Sequence, residues 1–271
     1  MVVMPGLLLL AVLDAANAAN VVDAEAIQTA IEEFNDHAVF ALPILNPVQT
    51  GRLLSGQVVR MLERPSTELD ARRAVAYLIM DLPRNAIWVG CQDPHFTLQP
   101  SLTEERLERH DDGRGVWYGF VDLPRPFSDR HWVVDVWNNH AMAAATDDRA
   151  WEHPWVLRPE DVGRSLIAPH VQAGHVGELT PALVDDAVYT TVNQGAWAVM
   201  ALPDGRTLFG YHAASVVGGN IPERLIAEYV LSGLEKLLRG IEARASSSVK
   251  EHYTQGHEPI SSGNGSMVPT F

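Results

Sequence analysis

Residues 188–245 carry the pattern that most limits what this chain can become. Residues 188–192 (VYTTV) and 195–202 (GAWAVMAL) are strand-like, and Pro203-Asp204-Gly205 has the chemistry of a hairpin turn. Residues 207–217 (TLFGYHAASVV) read as the returning strand. Gly218-Gly219-Asn220-Ile221-Pro222 then ends the sheet and opens a helix, with Pro222 near its first position and Glu223 in its first turn. Leu225, Tyr229, Val230, Leu234, Leu237, Leu238 and Ile241 recur at helical spacing as a broad apolar stripe. Glu228, Glu235, Lys236, Arg239 and Glu242 cover the opposite side. A stripe this wide has to be buried, and the neighbouring sheet offers the surface. The fold class this predicts is α+β, an antiparallel sheet packed across one long C-terminal helix.

Upstream, Ala26, Ile27, Ala30, Ile31 and Phe34 predict a helix over 22–40, ended by Pro43 and Pro47. Residues 52–63 read as strand-like, broken at Ser55-Gly56, and 73–80 (RAVAYLIM) as a continuous apolar strand. Pro83 opens a short helix over 84–91 that places Ile87, Trp88 and Cys91 on one face. Residues 115–123 and 131–137 are strands rich in aromatic and β-branched residues, joined by a turn over 124–129. The stretch 138–190 has no clear period. Its histidines, His140, His153, His170 and His175, read as exposed loop residues, and no metal-ligand spacing is present. On the second strand Arg130, Trp132, Val134 and Val136 share one face, leaving His131, Val133, Asp135 and Trp137 on a face that Asp135 suggests is wet. Residues 246–271, rich in Ser and Gly, read as a disordered tail.

The chain has 271 residues and a formal net charge of -14, which argues against a nucleic-acid partner and allows at most transient membrane contact. Its single cysteine, Cys91, permits no intrachain disulfide. No nucleophile elbow, phosphate loop or dinucleotide fingerprint occurs, so no catalytic residue and no cofactor is expected. Residues 1–13 (MVVMPGLLLLAVL) are uncharged and too short to span a bilayer. With Ala16-Asn17-Ala18 after them they predict a signal peptide over 1–18 and export to the periplasm or medium. A frayed N-terminal helix of a cytoplasmic protein is the alternative.

Three stretches resemble one known family. Residues 75–93 (VAYLIMDLPRNAIWVGCQD) are similar to its strand and Pro-led, Trp-containing helix. Residues 123–134 (LPRPFSDRHWVV) resemble its proline-rich turn and following strand, with Arg130-His131 where the family has Arg-Asp. Residues 195–238 resemble its last hairpin, Gly-Gly-x-Ile-Pro and closing helix. The chain resembles, over about 22–245, the START (StAR-related lipid transfer) domains of the helix-grip (SRPBCC) superfamily. The resemblance implies a curved antiparallel sheet gripping the C-terminal helix around an apolar cavity. It also implies binding or transfer of a hydrophobic, lipid-like molecule without catalysis, with that helix as part of the gate. Polyketide aromatases and cyclases share the superfamily, so an enzyme using polar groups in the cavity is the alternative; a regulatory module with a collapsed cavity is a third reading. Candidate ligand-binding residues are Arg130, Trp117, Trp132, Trp197, His212, Tyr229 and Leu234, with Tyr211 and Trp137 as further aromatics.

Overall fold

The computed structural model describes residues 22–64, 71–92, 101–125, 127–216, 223–251 and 260–268. The expected signal segment lies outside them, as does the Gly-Gly-Asn-Ile-Pro link.

Helix α1 (Ala24–Asn35) starts where Asp23 accepts a hydrogen bond from the Ala26 N–H, and it buries Ile27, Ile31 and Phe34. Helix α2 (Pro47–Leu54) corrects two expectations. Pro47 begins a helix here instead of ending one, because Asn46 and Gln49 form a reciprocal capping box and proline suits a first turn. Residues 52–54 are therefore helical, and strand β1 (Val59–Glu63) begins only after the turn at Gly56, whose φ of 77° favours glycine.

The remaining elements are β2 (Arg73–Met80), α3 (Arg84–Gln92), β3 (Leu102–Arg109), β4 (Gly115–Val121), β5 (Arg130–Val136), α4 (His140–Ala145), β6 (Ala150–Leu157), α5 (Glu160–Gln172), α6 (Pro181–Asp186), β7 (Val188–Tyr189), β8 (Val192–Ala201), β9 (Thr207–Val216) and α7 (Glu223–Glu251). The strands form one sheet in the order β1-β2-β9-β8-β6-β5-β4-β3, antiparallel throughout except that the short β7 pairs parallel with β5. The strands at 73–80, 115–121 and 207–216 fall where the sequence puts them. Strand β3, with its run of Glu and Arg, and the elements of 138–190 do not announce themselves.

Side-chain alternation gives the sheet two differently covered faces. On the outer face α1 and α2 pack against Val75, Tyr77, Ile79, Ala198, Met200 and Leu208. Further along the same face Ile167 and Val171 of α5 and Val184 of α6 pack on Tyr118, Phe120 and Val133. The face of β5 expected to be wet is thus covered: His131 and Val133 are fully buried, and Asp135 reaches the edge to pair with Arg158 at 2.6 Å. On the inner face α3 and α7 pack together against Ala74, Ala76, Leu78, Met80, Val199 and Phe209. A Cβ on Gly90 of α3 would stand 3.0 Å from the Ala245 Cβ, so glycine lets these two helices approach.

The tail expectation is also corrected for the described residues. Residues 246–251 prolong α7, and 260–268 form a small hairpin closed by a Ser261–Met267 bridge. Ile260 and Val268 join the inner core. The Ser261 carbonyl accepts from Trp88 Nε1 at 2.9 Å and from Asn138 Nδ2 at 3.1 Å, and a Gly263 Cβ would overlap the Trp151 ring. Among the described residues no helix is long and apolar enough to cross a membrane.

Candidate functional site

Strand register assembles the site on the inner face. Directly paired residues of antiparallel strands project to the same side. Tyr211 pairs with Trp197, and Trp197 with His153. Trp155 pairs with Val136, Val134 with Trp117, and Trp132 with Gly119, which in turn pairs with Glu104. At one end of this row the rings lie together: Trp155 and Tyr211 are 5.8 Å apart, Trp197 and Tyr211 4.6 Å, and Trp197 stacks on Phe209 at 5.7 Å.

Two glycines shape the wall. A Cβ on Gly119 would lie 2.3 Å from Trp132 Cε2, and one on Gly195 2.4 Å from Trp155 Cζ2. Each indole therefore lies across the neighbouring strand, over a position with no side chain. Although they face inward, Trp117, Trp132, Trp155, Trp197 and Tyr211 are only half-buried, unlike Trp88 and Trp151 at the end nearest α3, which are sealed.

Glu104 and Arg106 of β3, opposite Gly119 and Trp117, are the charged residues at the end of the row. The Glu104 side chain is exposed, and its neighbours raise its carboxyl pKa by desolvation. Tyr211 carries a raised phenol pKa, from burial first and from the Glu104 charge second. Strand β9 and strand β3 stand five places apart in the sheet order, so this field crosses from one part of the curved wall to another.

The expected residues divide. Trp117, Trp132 and Trp197 lie together on the inner face. Leu234 of α7 packs the core of that face and is 2% exposed. Arg130 has inner-face register, but its guanidinium turns back and donates to the Asp129 carbonyl at 3.1 Å and to the Ser128 carbonyl. It is thereby shielded from solvent, and desolvation lowers its pKa. His212 follows Tyr211 on the same strand, so alternation turns it to the outer face, correcting its expected place beside the tryptophans. There it is 1% exposed, meets Phe40 edge-on at 5.6 Å, and is held neutral by burial, its pKa lowered to about 3. The Tyr229 side chain lies outside the described residues. Trp137 lines a surface depression of about 230 Å³ beside the β3–β4 turn.

Sequence reading missed Glu104 and Trp155. Trp155 follows a proline in the unpatterned 138–190 stretch. Glu104 sits between charged neighbours that resemble any solvated segment. Among the described residues no three His, Cys, Asp or Glu side chains gather as a metal site. His170 and His175 bring their rings to 6.3 Å at the end of α5. Burial raises the Cys91 thiol well above its ordinary value, and Sγ donates to the Trp88 carbonyl at 3.3 Å, which makes it an inert structural group.

No family model and no curated protein matches the sequence. Solved structures do. Human STARD10 is similar over 73% of this chain and 74% of its own, with a TM-score of 0.53 and 10% identity. Human StAR-related lipid transfer protein 5 is similar over 83% of this chain and 97% of its own, with a TM-score of 0.52 and 13% identity. A looser likeness, at a TM-score of 0.43 and 13% identity over 67% of this chain and 97% of the other, is to the Zhui aromatase/cyclase of Streptomyces sp. R1128. The nine-stranded sheet gripping α7 and these two human structures together establish that the chain has the START-type helix-grip fold.

Proposed function

We propose that this protein binds or carries a hydrophobic, lipid-like molecule in a hollow between the inner face of the sheet and α7, without catalysing a reaction on it. The row of inward-facing but unsealed aromatics carries this reading. Apolar side chains turned into a protein are ordinarily packed to crystal-like density. Five aromatics that face inward and still meet solvent line a space that an apolar ligand would fill. The names of the two human structures, one of them a lipid transfer protein, point to the same ligand class. The enzyme alternative loses its residue pair, because Arg130 and His212 lie on opposite sides of the sheet.

Native mass spectrometry of the full chain, before and after organic extraction, tests the reading. A co-purifying apolar molecule, and quenching of tryptophan fluorescence when one is added back, are expected. Absence of binding across sterol, phospholipid and single-chain amphiphile panels would overturn it. Export belongs to the proposal as well. A mature N-terminus near Ala19, found by N-terminal sequencing of protein from the native host, supports it, and an intact Met1 removes it.

A further inference from the structure

The inner-face residues of β6 change character within one strand. Trp151 is sealed, with Gly263 of the C-terminal hairpin against its ring. His153 is buried and bonds Asn138 Oδ1 at 2.8 Å, and Trp155 is left half-buried on the aromatic wall. The hairpin therefore stands where the packed core gives way to the wall. It is fastened there largely through its own carbonyls. Those of Ser261 and Ser262 accept from Asn138 Nδ2, each at 3.1 Å. That of Gly263 meets His140 Nδ1 at 2.7 Å, and the other nitrogen of the same ring, Nε2, meets the Asp112 carbonyl of the β3–β4 turn at 2.8 Å. A neutral imidazole has one N–H and one lone pair, so it donates to one carbonyl and sets its lone pair against the other. Both contacts are hydrogen bonds only in the imidazolium form, and both are then charge-assisted. The hairpin backbone also packs on this ring, since a Cβ on Gly265 would stand 3.4 Å from His140 Cε1.

The ionisable groups around His140 can be named. Residues 260–268 and the rest of α4 carry none. The turn brings His110, Asp111 and Asp112, and Arg114 takes the Asp112 carboxylate at 2.7 Å. Asn138 and Asn139 lead to His153 and Glu152, and Trp151 to Arg84 and Asp148. We infer that the C-terminal hairpin is a stopper at one end of the ligand hollow and that protonated His140 is its clasp, holding it on the acid side of neutrality and releasing it more readily above. The stopper rests on the hollow proposed above, whereas the clasp stands on the hydrogen bonds alone. The closed hairpin needs the proton and the open one does not, so closure takes up a proton and weakens as pH rises past about 6.5, the ordinary histidine value. The global fold changes the other way. His131, His153 and His212, held neutral by burial, stabilise it more as pH rises toward that value, so greater protection at acid pH belongs to the hairpin.

Hydrogen exchange of the full chain, followed by NMR, tests the clasp at the Ser262 and Val268 amides, which donate across the hairpin to the Ser266 and Ile260 carbonyls. Corrected for intrinsic rates, their protection at pH 5.5 should exceed that at pH 8 by about tenfold, the effect of one charge-assisted hydrogen bond. His140→Gln keeps a single donor that no longer titrates, and it should remove the difference. His110→Gln, on the neighbouring turn, should keep it. Dodecanol tests the stopper. Its off-rate, read by stopped-flow tryptophan fluorescence, should rise by about the same tenfold from pH 5.5 to pH 8 in the wild type and stay level in His140→Gln. Equal protection at the two pH values, or a difference that survives His140→Gln, overturns the clasp. A hairpin that responds to pH with an unchanged dodecanol off-rate overturns the stopper and leaves the hollow standing. Failure of dodecanol and of the sterol and phospholipid panels to bind overturns the hollow and the stopper with it, while the exchange data still decide the clasp.

Discussion

At the β2 end of the inner face the inward residues are Ala74, Ala76, Leu78 and Met80, and α7 packs on this strand with Leu234, Leu238 and Ile241 in the same core, while α3 covers Val199 and Phe209. Toward the middle and far end of the sheet the inward aromatics are Tyr211, Trp197, Trp155, Trp132 and Trp117, with Glu104 and Arg106 on β3, and these retain contact with solvent although Val134 and Val136 between them are buried. Both sides belong to one sheet and have the same alternation. Small residues on the first side let a helix approach and seal the core. On the second, indoles laid across glycines build a wide apolar surface that stays half-exposed. Apolar area alone therefore does not distinguish a packed core from the wall proposed to hold a ligand. The distribution of side-chain size between neighbouring strands does.

Two tryptophans, Trp88 of α3 in the sealed core and Trp132 of β5 on the aromatic wall, should break this comparison if it is wrong. Trp88 is sealed, meets Trp151 edge-on at 5.1 Å and donates to the Ser261 carbonyl. Trp88→Ala should cost about 3–5 kcal/mol, the range for emptying a large buried site. Trp132→Ala removes a half-buried ring and should cost less than half as much, while weakening ligand binding. Denaturant unfolding of both variants measures the difference. Equal destabilisation would mean that the β5 side is a packed core.

The sealed side also includes the C-terminal hairpin. A chain ending at Glu251 loses Ile260 and Val268 from the core and leaves the Trp88 and Asn138 N–H groups without their carbonyl partners. The expected loss is about 2–4 kcal/mol, from lost apolar burial plus unpaired donors. An unfolding curve identical to that of the full chain would restore the disordered-tail reading.

The contrast between these regions follows what could be read in the sequence. The β8–β9 hairpin, the strand at 73–80 and α7 are legible because their periodicity is local and their partners are adjacent in sequence or forced by a wide stripe. The tail is not. Its two core residues stand alone among Ser and Gly, and their partners Trp88, Asn138 and Trp151 lie more than a hundred residues away. Strand β3 is hidden by charges that suit a sheet edge, where they discourage pairing with another chain. Trp117, Trp132 and Trp197 are found by alternation alone. Glu104 is invisible until the sheet sets it against Gly119 and Trp132.

Alternation makes a further pH-dependent claim about the outer face. His212 stays neutral in the folded protein down to about pH 3, whereas an unfolded histidine binds its proton near 6.5. Between those values the unfolded state holds one more proton, so stability falls as pH falls, by about 1.4 kcal/mol per pH unit from this residue. His131 and His153, both lowered to about 4 by burial, act in the same direction from about 6.5 downward. Glu104 and Glu152, whose folded-state pKa values are raised, offset part of the loss. His212→Leu should flatten the acid limb by roughly the slope given above, about 1.4 kcal/mol per unit. It also removes two ring nitrogens that have no hydrogen-bond partner among the described residues. Denaturant unfolding at pH 7, 6, 5 and 4 checks this, and an unchanged slope would place His212 in contact with water.

The smallest expected effect lies where the two sides meet, on α7. Gly233 precedes the sealed Leu234, and a Cβ built on it finds no atom within 4 Å. A glycine inside a helix costs about 1 kcal/mol relative to alanine, and only a clash would reverse the gain. With open space beside it, Gly233→Ala should stabilise the fold by about 1 kcal/mol and raise the melting temperature by roughly 2–4 °C. Leu234→Ala, one residue away on the sealed side, should destabilise by about 2–5 kcal/mol. The pair therefore locates the boundary between core and hollow to within one residue of helix. If α7 must loosen to admit a ligand, stiffening it at Gly233 should also slow release of dodecanol, measured as an off-rate by stopped-flow tryptophan fluorescence. A stabilised variant with an unchanged off-rate would move the gate away from this helix. A destabilised one would show that the space beside Gly233 is filled, and the sealed core would then extend past α7 toward the tryptophan wall.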